Sequence, residues 1–143
     1  MYGPTEIVAI PAVASPAGIA YPLPGGERTE IEGLCFTLVT SNHVANRRVV
    51  ARLQDGTGTD VYAVAAPQVQ VASETVVYSF APLVPSDGDS AIGFMTGPFP
   101  KMCSGDPLKV VVTVVNADAN DVIHSGRLTV KQYPVEPDFV ASE

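Results

Sequence analysis

The sequence predicts an all-β domain, an antiparallel β-sandwich that is jelly-roll-like, with extended N- and C-terminal segments. In several stretches the large apolar residues recur at every second position, which is the period of a strand with one buried face. Residues that favour strands are frequent, and 13 prolines and 12 glycines interrupt the 143-residue chain. No stretch has the pattern of a helix longer than two turns. These observations together favour a sandwich of short strands.

The chain is expected to be one domain with three parts. Residues 1–26 comprise a first strand, bracketed by Pro4 and Pro11, and a proline- and glycine-rich segment. Proline cannot donate to a β-ladder, so the strand is expected at a sheet edge or as an extended arm. The rest of this part would cross the end of the sandwich or lie across a neighbouring subunit. Residues 27–133 form the core, and the acidic tail 134–143 is either disordered or an arm on a neighbour.

Residues 34–56 predict a β-hairpin at the centre of the sandwich. A polar bend, SNHVAN, joins its two strands, and Asp55-Gly56 ends the second one with a strong turn signal. Before Leu34 the alternating pattern slips by one residue, which predicts a β-bulge near Gly33. The residues expected to face the core are Leu34, Phe36 and Leu38 in the first strand and Val49, Ala51 and Leu53 in the second.

Five further strands are predicted after the hairpin. The stretch around Val112 has apolar residues on both faces, so that strand is expected to be covered on both sides. Residues 97–107 are the least regular part and are expected to form an exposed connection between the sheets. The predicted strands are Val61–Ala66, Thr75–Phe80 with Val76, Tyr78 and Phe80 on one face, Ala91–Met95, Leu108–Val114, and Val122–Gln132 with Leu128 and Val130 inward.

Composition and charge argue against two classes of partner. The net charge is −7 with 16% charged residues, whereas binding to phosphates requires a concentrated basic face. No apolar run approaches the ~20 residues of a membrane span. The first residues lack the basic start and apolar core of a signal peptide, so we expect a protein made and used without secretion. Neither a nucleic acid nor a membrane is expected as a partner.

Catalytic residues are not expected either. The two histidines, His43 and His124, lie in a predicted turn and near the start of the last strand, and neither belongs to a nucleophile elbow. The motif Gly-x-Ser-x-Gly does not occur. The sequence therefore predicts a protein that is not an enzyme, with surface histidines.

No metal or other cofactor is predicted. The acidic turn DGTGTD, residues 55–60, is similar to the start of a calcium loop, but Asp60 stands where glycine is needed and Ala66 where glutamate is needed. Cys35 and Cys103 lack the spacing of zinc ligands. Both cysteines are expected to be free thiols.

The one basic cluster consists of Arg47, Arg48 and Arg52. It is interpreted either as a solvated strand face or as a contact with an acidic neighbour, whether another subunit or a shell surface. The five tyrosines are scattered along the sequence and tryptophan is absent, which lowers the expectation of a sugar-stacking surface.

Three motifs together resemble small β-sandwich virion proteins of tailed bacteriophages, of the decoration or minor capsid type. They are FTLVTSNHVANRRVVARLQDGTG, a strand of the VYSFAP type and LKVVVTVVNADANDVIHSGRLTV. The resemblance covers residues 27–132 and consists of strand and turn patterns. It implies a structural protein of the particle and carries over no catalytic or ligand-binding residue.

The resemblance leads to the hypothesis of a capsid decoration or minor capsid protein that binds and stabilises the assembled head. The expected partners are the major capsid protein or other virion subunits, with a trimer favoured as the homo-oligomer. The expected location is the virion, after assembly in the host cytoplasm. Two alternatives stay open: a neck, tail or fibre component, and a receptor- or glycan-binding module that uses the loops at one end of the sandwich.

Overall fold

The structure is a computed structural model that describes residues 5–10, 13–14, 18–23, 28–101, 103–104 and 108–133. In these residues the chain forms twelve β-strands and no helix. The strands are β1 (Thr5–Ile10), β2 (Val13–Ala14), β3 (Ile19–Pro22), β4 (Arg28–Val39), β5 (Arg48–Asp55), β6 (Asp60–Ala65), β7 (Thr75–Ala81), β8 (Asp87–Asp89), β9 (Phe94–Pro98), β10 (Cys103–Ser104), β11 (Leu108–Val115) and β12 (Val122–Tyr133).

The strands form two sheets that pack face to face. The first sheet has the order β1-β12-β4-β7-β9-β8, with β2 beside β12 and β10 beside β4. The second sheet has the order β3-β11-β5-β6. Neighbouring strands are antiparallel except β7 and β9, which run parallel.

Eight of the strands follow the winding of a jelly roll. Strand β1 pairs with β12, β3 with β11, β4 with β7, and β5 with β6, so the outermost strands of the chain pair first and the innermost last. Successive pairs alternate between the two sheets. This nested pairing is that of a long hairpin folded over on itself into a double-sheet jelly roll. The predicted fold class is confirmed.

The core lies between the inner faces of the sheets, where alternation along each strand places the apolar side chains. At its centre the ring of Phe36 stacks on Tyr78 at 5.2 Å and on Phe80 at 6.3 Å between ring centroids. The residues predicted to face inward all do so, with 1% exposure or less: Leu34, Phe36, Leu38, Val49, Ala51, Leu53, Val76, Tyr78, Phe80, Leu128 and Val130.

The predicted bulge near Gly33 is present in β4. Gly33 pairs with Thr129 and Ile31 pairs with Val130, so Glu32 is an extra residue without a partner position on β12. Because one inserted residue restores the inward phase, Ile31 and Leu34 are both buried although they are three positions apart.

The predicted central hairpin is wrong in its pairing. Its two strands lie in different sheets, since β4 pairs with β7 and β12 while β5 pairs with β6 and β11. A hairpin would place both apolar faces side by side on one sheet. The connection 40–47 instead passes from the first sheet to the second at one end of the sandwich, so the two apolar faces oppose each other across the core.

Three later predictions also need correction. The strand expected at Ala91–Met95 begins only at Phe94, because residues 90–93 form a turn between β8 and β9. The connection 97–107 is neither wholly irregular nor wholly exposed: β9 continues to Pro98, Phe99 is buried and β10 pairs with β4. No described element covers the outer face of β11, where Val111 and Thr113 are half-buried and Val115 is 48% exposed.

The N-terminal part contributes strands to both sheets. Residues Thr5–Ile10 form an edge strand along β12, one of the two predicted alternatives. Residues Ile19–Pro22 form an edge strand along β11 instead of crossing the end of the sandwich. Residues 1–4, 11–12, 15–17, 24–27 and the tail 134–143 lie outside the described residues.

Candidate functional site

Three loops meet at one end of the sandwich, here called the loop end: residues 40–47, 66–74 and 116–121. They meet because jelly-roll winding brings the β4–β5, β6–β7 and β11–β12 connections to the same end of the two sheets. The first two loops are joined by a pair of backbone hydrogen bonds, from Arg47 N to Gln70 O at 2.9 Å and from Gln70 N to Arg47 O at 2.7 Å.

A buried ion pair joins the first loop to the third. The fully buried guanidinium of Arg47 donates from Nε to Asp121 Oδ2 at 2.9 Å and from Nη2 to Asp121 Oδ1 at 3.1 Å. Its remaining donors reach Ala45 O at 2.9 Å and Ser41 Oγ at 3.2 Å. This bidentate geometry matches the planar guanidinium group, and the carboxylate balances its buried positive charge.

Backbone hydrogen bonds also hold the carboxylate of Asp121 in place. It accepts hydrogen bonds from the backbone N–H groups of Ser41 at 2.8 Å and Asp118 at 2.9 Å. The Asp118 carboxylate in turn accepts from Ser41 Oγ at 2.8 Å and Asn120 N at 3.0 Å. Aspartates at these turn positions bond their own loop, and here they also bond a loop that is about 80 residues away in sequence.

A second polar group fastens the 66–74 loop. The buried side chain of Gln70 donates to Leu38 O at 2.9 Å and Glu74 O at 3.0 Å, and it accepts from the Tyr78 hydroxyl at 2.8 Å. Thr40 Oγ1 donates to Val71 O at 2.7 Å and accepts from Glu74 N at 3.0 Å. Burial, helped by the charge of Glu74, raises the pKa of Tyr78 far above its usual value, so this hydroxyl remains a donor.

The loop end lowers the pKa of Asp121 despite burial. Burial raises the pKa of this carboxyl, but the hydrogen bond from Arg47, those from Asp118 and Ser41 and the charge of Arg47 together outweigh it. The net lowered pKa means that the folded chain binds this proton less tightly than the unfolded chain does. The ion pair is therefore intact at neutral pH.

The pH dependence of stability follows from that sign. A carboxyl whose pKa is lower in the folded state stabilises the fold above its ordinary pKa, and this contribution disappears as the pH falls through the lower, folded value. We expect the free energy of unfolding to be level near neutrality and to fall below about pH 4. Urea unfolding across this range should show a shallower acid slope for Asp121→Asn. An unchanged slope in that variant would contradict the assignment.

The structure separates the three arginines of the predicted basic cluster. Arg47 is buried in the ion pair with Asp121, so it cannot offer its side chain to a partner, and that part of the prediction is wrong. Arg48 and Arg52 lie on the outer face of the second sheet. Arg48 donates to Ala66 O at 3.0 Å and Pro67 O at 3.2 Å, whereas Arg52 pairs with Asp60 at 2.7 Å.

The alternating pattern of the sequence already distinguishes the buried Arg47 from the outward-facing Arg48. Arg47 is in phase with Val49 and Ala51, which face the core, while Arg48 alternates with them. The acid that pairs with Arg47 is 74 positions away and only the winding of the fold brings it close.

The outer face of the second sheet, here called the basic face, is open to solvent. Its positive charges are Arg48, Arg52 and Lys109. Among the described residues, the acids beside them are Asp60, which pairs with Arg52, and Asp55, which lines the same surface pocket as Lys109. Gln54 lies beside Lys109, and the other residues between these charges are small or β-branched, so the face has few large side chains. By strand register they are Ala20, Pro22, Val50, Val61, Ala63, Ala65, Val111, Thr113 and Val115.

The remaining candidate residues are held in local contacts. His43 is exposed in the 40–47 loop, and His124 Nδ1 lies 2.9 Å from Ser125 Oγ. The acidic turn is stabilised by its own first residue, because Asp55 Oδ1 accepts from Thr57 N at 2.8 Å and Thr59 N at 3.0 Å. In the part of the chain that is described, no three His, Cys, Asp or Glu residues are grouped as metal ligands would be.

Cys35 is a free cysteine on the outer face of the first sheet, and the side chain of Cys103 lies outside the description. Burial raises the pKa of the Cys35 thiol, an effect that the charge of Arg127 opposes only in part. A raised pKa leaves the thiol protonated and unreactive at neutral pH. Within the described ranges, no helix has the length and hydropathy needed to span a bilayer.

No protein-family model and no curated protein matches the chain. Among solved structures, similarity is found to chains of infectious bursal disease virus particles. The Gx strain structure has 18% identity and a TM-score of 0.41, covering 92% of this chain and 34% of that chain. The T=1 particle has 15% identity and a TM-score of 0.41, with 89% and 31% covered. The T13 particle has 16% identity and a TM-score of 0.39, with 88% and 30% covered.

The chain thus spans about a third of the length of the viral chains that it matches. These three belong to an animal virus and not to a tailed bacteriophage. At such identities and TM-scores, the matches do not establish a shared function.

Proposed function

We propose that the chain is a structural protein of a virus particle, most specifically a decoration or minor capsid protein that binds the outside of an assembled head and stabilises it. The observation that carries the proposal is the nested strand pairing of the jelly roll, an architecture that recurs in viral capsid domains. The resemblance of residues 27–132 to virion proteins of tailed bacteriophages supports the same role. Fold alone does not determine function, so both remain arguments by analogy.

The distribution of polar groups supports binding through the sheet faces. At the loop end, Arg47, Asp121 and Gln70 use their side chains to hold the loops to one another. A receptor- or glycan-binding module presents such groups to its ligand instead. The basic face, by contrast, leaves cationic and apolar side chains uncovered on a chain whose net charge is −7. A partner with an acidic surface, whether a head protein or another copy of this chain, would complement it.

The finer parts of the proposal concern location and partners. The major capsid protein is the proposed partner, the virion the proposed location, the host cytoplasm the proposed site of assembly, and a trimer the favoured oligomer. A neck, tail or fibre component would suit the same sandwich, and its low copy number would distinguish it.

The stabilising role is tested on heads that lack this chain. Adding the purified protein back should raise the temperature at which the heads release DNA, with a saturable dependence on protein concentration. Release can be followed with a DNA-binding dye during heating, and binding by co-sedimentation. Heads that neither bind the protein nor gain heat resistance would refute the decoration role.

A further inference from the structure

The first sheet ends in a short strand with an acidic and apolar surface. Of the strands described, only β9 pairs with β8, which leaves the outer edge of β8 open. Leu83 is fully exposed, Ile92 is 71% exposed and Phe94 is 45% exposed. Together with Asp87 and Asp89 these residues are here called the acidic edge. An exposed sheet edge of this kind is a surface to which another chain can bind.

The two aspartates of the acidic edge carry negative charges that no ion pair with a described residue neutralises. Asp87 Oδ1 accepts from Gly88 N at 2.8 Å, and Asp89 Oδ1 accepts from Ile92 N at 2.9 Å. Neither carboxylate has an ion-pair partner within the described ranges. Each therefore retains an oxygen and a negative charge for a cation outside this copy.

The basic face offers the complementary charges on the same chain. Arg48 donates to the backbone carbonyls of Ala66 and Pro67, and within the described ranges neither Arg48 nor Lys109 forms an ion pair. Arg52 pairs with the carboxylate of Asp60. The small apolar residues between the cations could accommodate the projecting Leu83, Ile92 and Phe94.

The conformation of Leu83 adds an independent observation. Its φ of +65° lies in the left-handed region, which is strained for a leucine. Within one copy the side chain gains no contact in return, since it is fully exposed. Burial against a second copy would give this strained, displayed residue a stabilising contact.

We propose that the acidic edge of one copy docks on the basic face of a second copy. The two surfaces differ, so the contact is heterologous and every copy uses both of them, which generates a ring if the rotation between copies closes and an open filament if it does not. The occupant of the basic face is thus another molecule of this chain. The inference goes beyond the virion role and does not depend on it, because a chain that binds heads as a monomer would still satisfy the proposed function.

The test is sedimentation velocity of the purified full chain over a range of concentrations. We expect an oligomer at low salt that dissociates at high salt, since exposed charges are screened there. Asp87→Lys and Arg48→Glu should each weaken association about tenfold or more. The double variant, with both changes in one chain, should restore association because the two charges are exchanged. Glu74→Lys and Arg127→Glu are controls with matched charge changes outside both surfaces, and they should have little effect.

A second variant separates association from folding. Leu83→Asn places a residue that tolerates positive φ at the loop position, so the melting temperature of the monomer should stay level or rise while association weakens. A chain that stays monomeric at all concentrations would overturn the proposal. Equal weakening by the control variants, or failure of the double variant to restore association, would also overturn it.

Discussion

Replacing Asp121 by alanine is expected to lower the free energy of unfolding by about 3–5 kcal/mol, as is typical when one partner of a buried ion pair is removed. The reason is that Arg47 would keep its charge in a site with no access to water. Two backbone donors, Ser41 N and Asp118 N, would also lose their acceptor. Equilibrium unfolding in urea at neutral pH measures the loss.

The surface ion pair of Arg52 and Asp60 provides the matched control. Its N···O distance is 2.7 Å against 2.9 Å for the buried pair, but its side chains are 30% and 35% exposed. Asp60→Ala should therefore cost less than about 1 kcal/mol. Similar losses in the two alanine variants would show that the loop end is not held by a desolvated charge pair.

A double variant refines the same prediction. Arg47→Met combined with Asp121→Leu removes both charges and restores apolar volume, so its loss should be smaller than that of either single substitution. A loss equal to the sum of the two singles would indicate that the residues act independently.

Phe36→Ala is the second large expected effect, again about 3–5 kcal/mol. Phe36 is fully buried, and its ring stacks on Tyr78 and Phe80 between the sheets. Truncation would remove the ring from the centre of the core, and the surrounding strands, fixed by their ladders, can close only part of the space.

Phe94→Ala is the control for that substitution, since it removes the same group from a half-exposed position on β9. At a concentration at which the chain is monomeric we expect a loss of about 1 kcal/mol, since only about half of this ring is buried. Chemical denaturation of both variants gives the comparison. A small loss for Phe36→Ala would mean that the core does not depend on the aromatic stack.

Local patterns in the sequence were sufficient to predict most of the longer strands and their inward faces, whereas the short strands β2, β3, β8 and β10 were not predicted. The alternation of Leu34, Phe36 and Leu38 and of Val49, Ala51 and Leu53 identifies the buried side of each strand, because side-chain direction along a strand is a local property. The slip before Leu34 likewise identifies the bulge, since one inserted residue changes the phase.

Pairing between strands could not be obtained in this way. Two alternating strands joined by a polar bend are compatible with a hairpin and with a crossing from one sheet to the other. The choice depends on β11, β7 and β12, which lie far along the chain and supply the partners of β4 and β5. The parallel pairing of β7 with β9 has the same cause, because no local signal marks it.

The hydrogen bonds between the loops at the loop end could not be predicted from local sequence patterns. Asp118 and Asp121 are turn residues, and the carboxylate of each accepts a hydrogen bond from a backbone N–H of its own loop. Their bonds to Arg47 and Ser41 across the fold give the loops their common support. The phase of Arg47 marks it as inward, but its partner could be found only from the fold.

The central claim, a structural role on the virus particle, is tested most directly by the copy number of this chain in gradient-purified particles. Quantitative mass spectrometry against the major capsid protein gives that ratio. We expect a ratio comparable to the capsid lattice, as a decoration protein requires. A few copies per particle would place the chain in the neck, tail or fibre, and its absence from the particles would contradict the virion role.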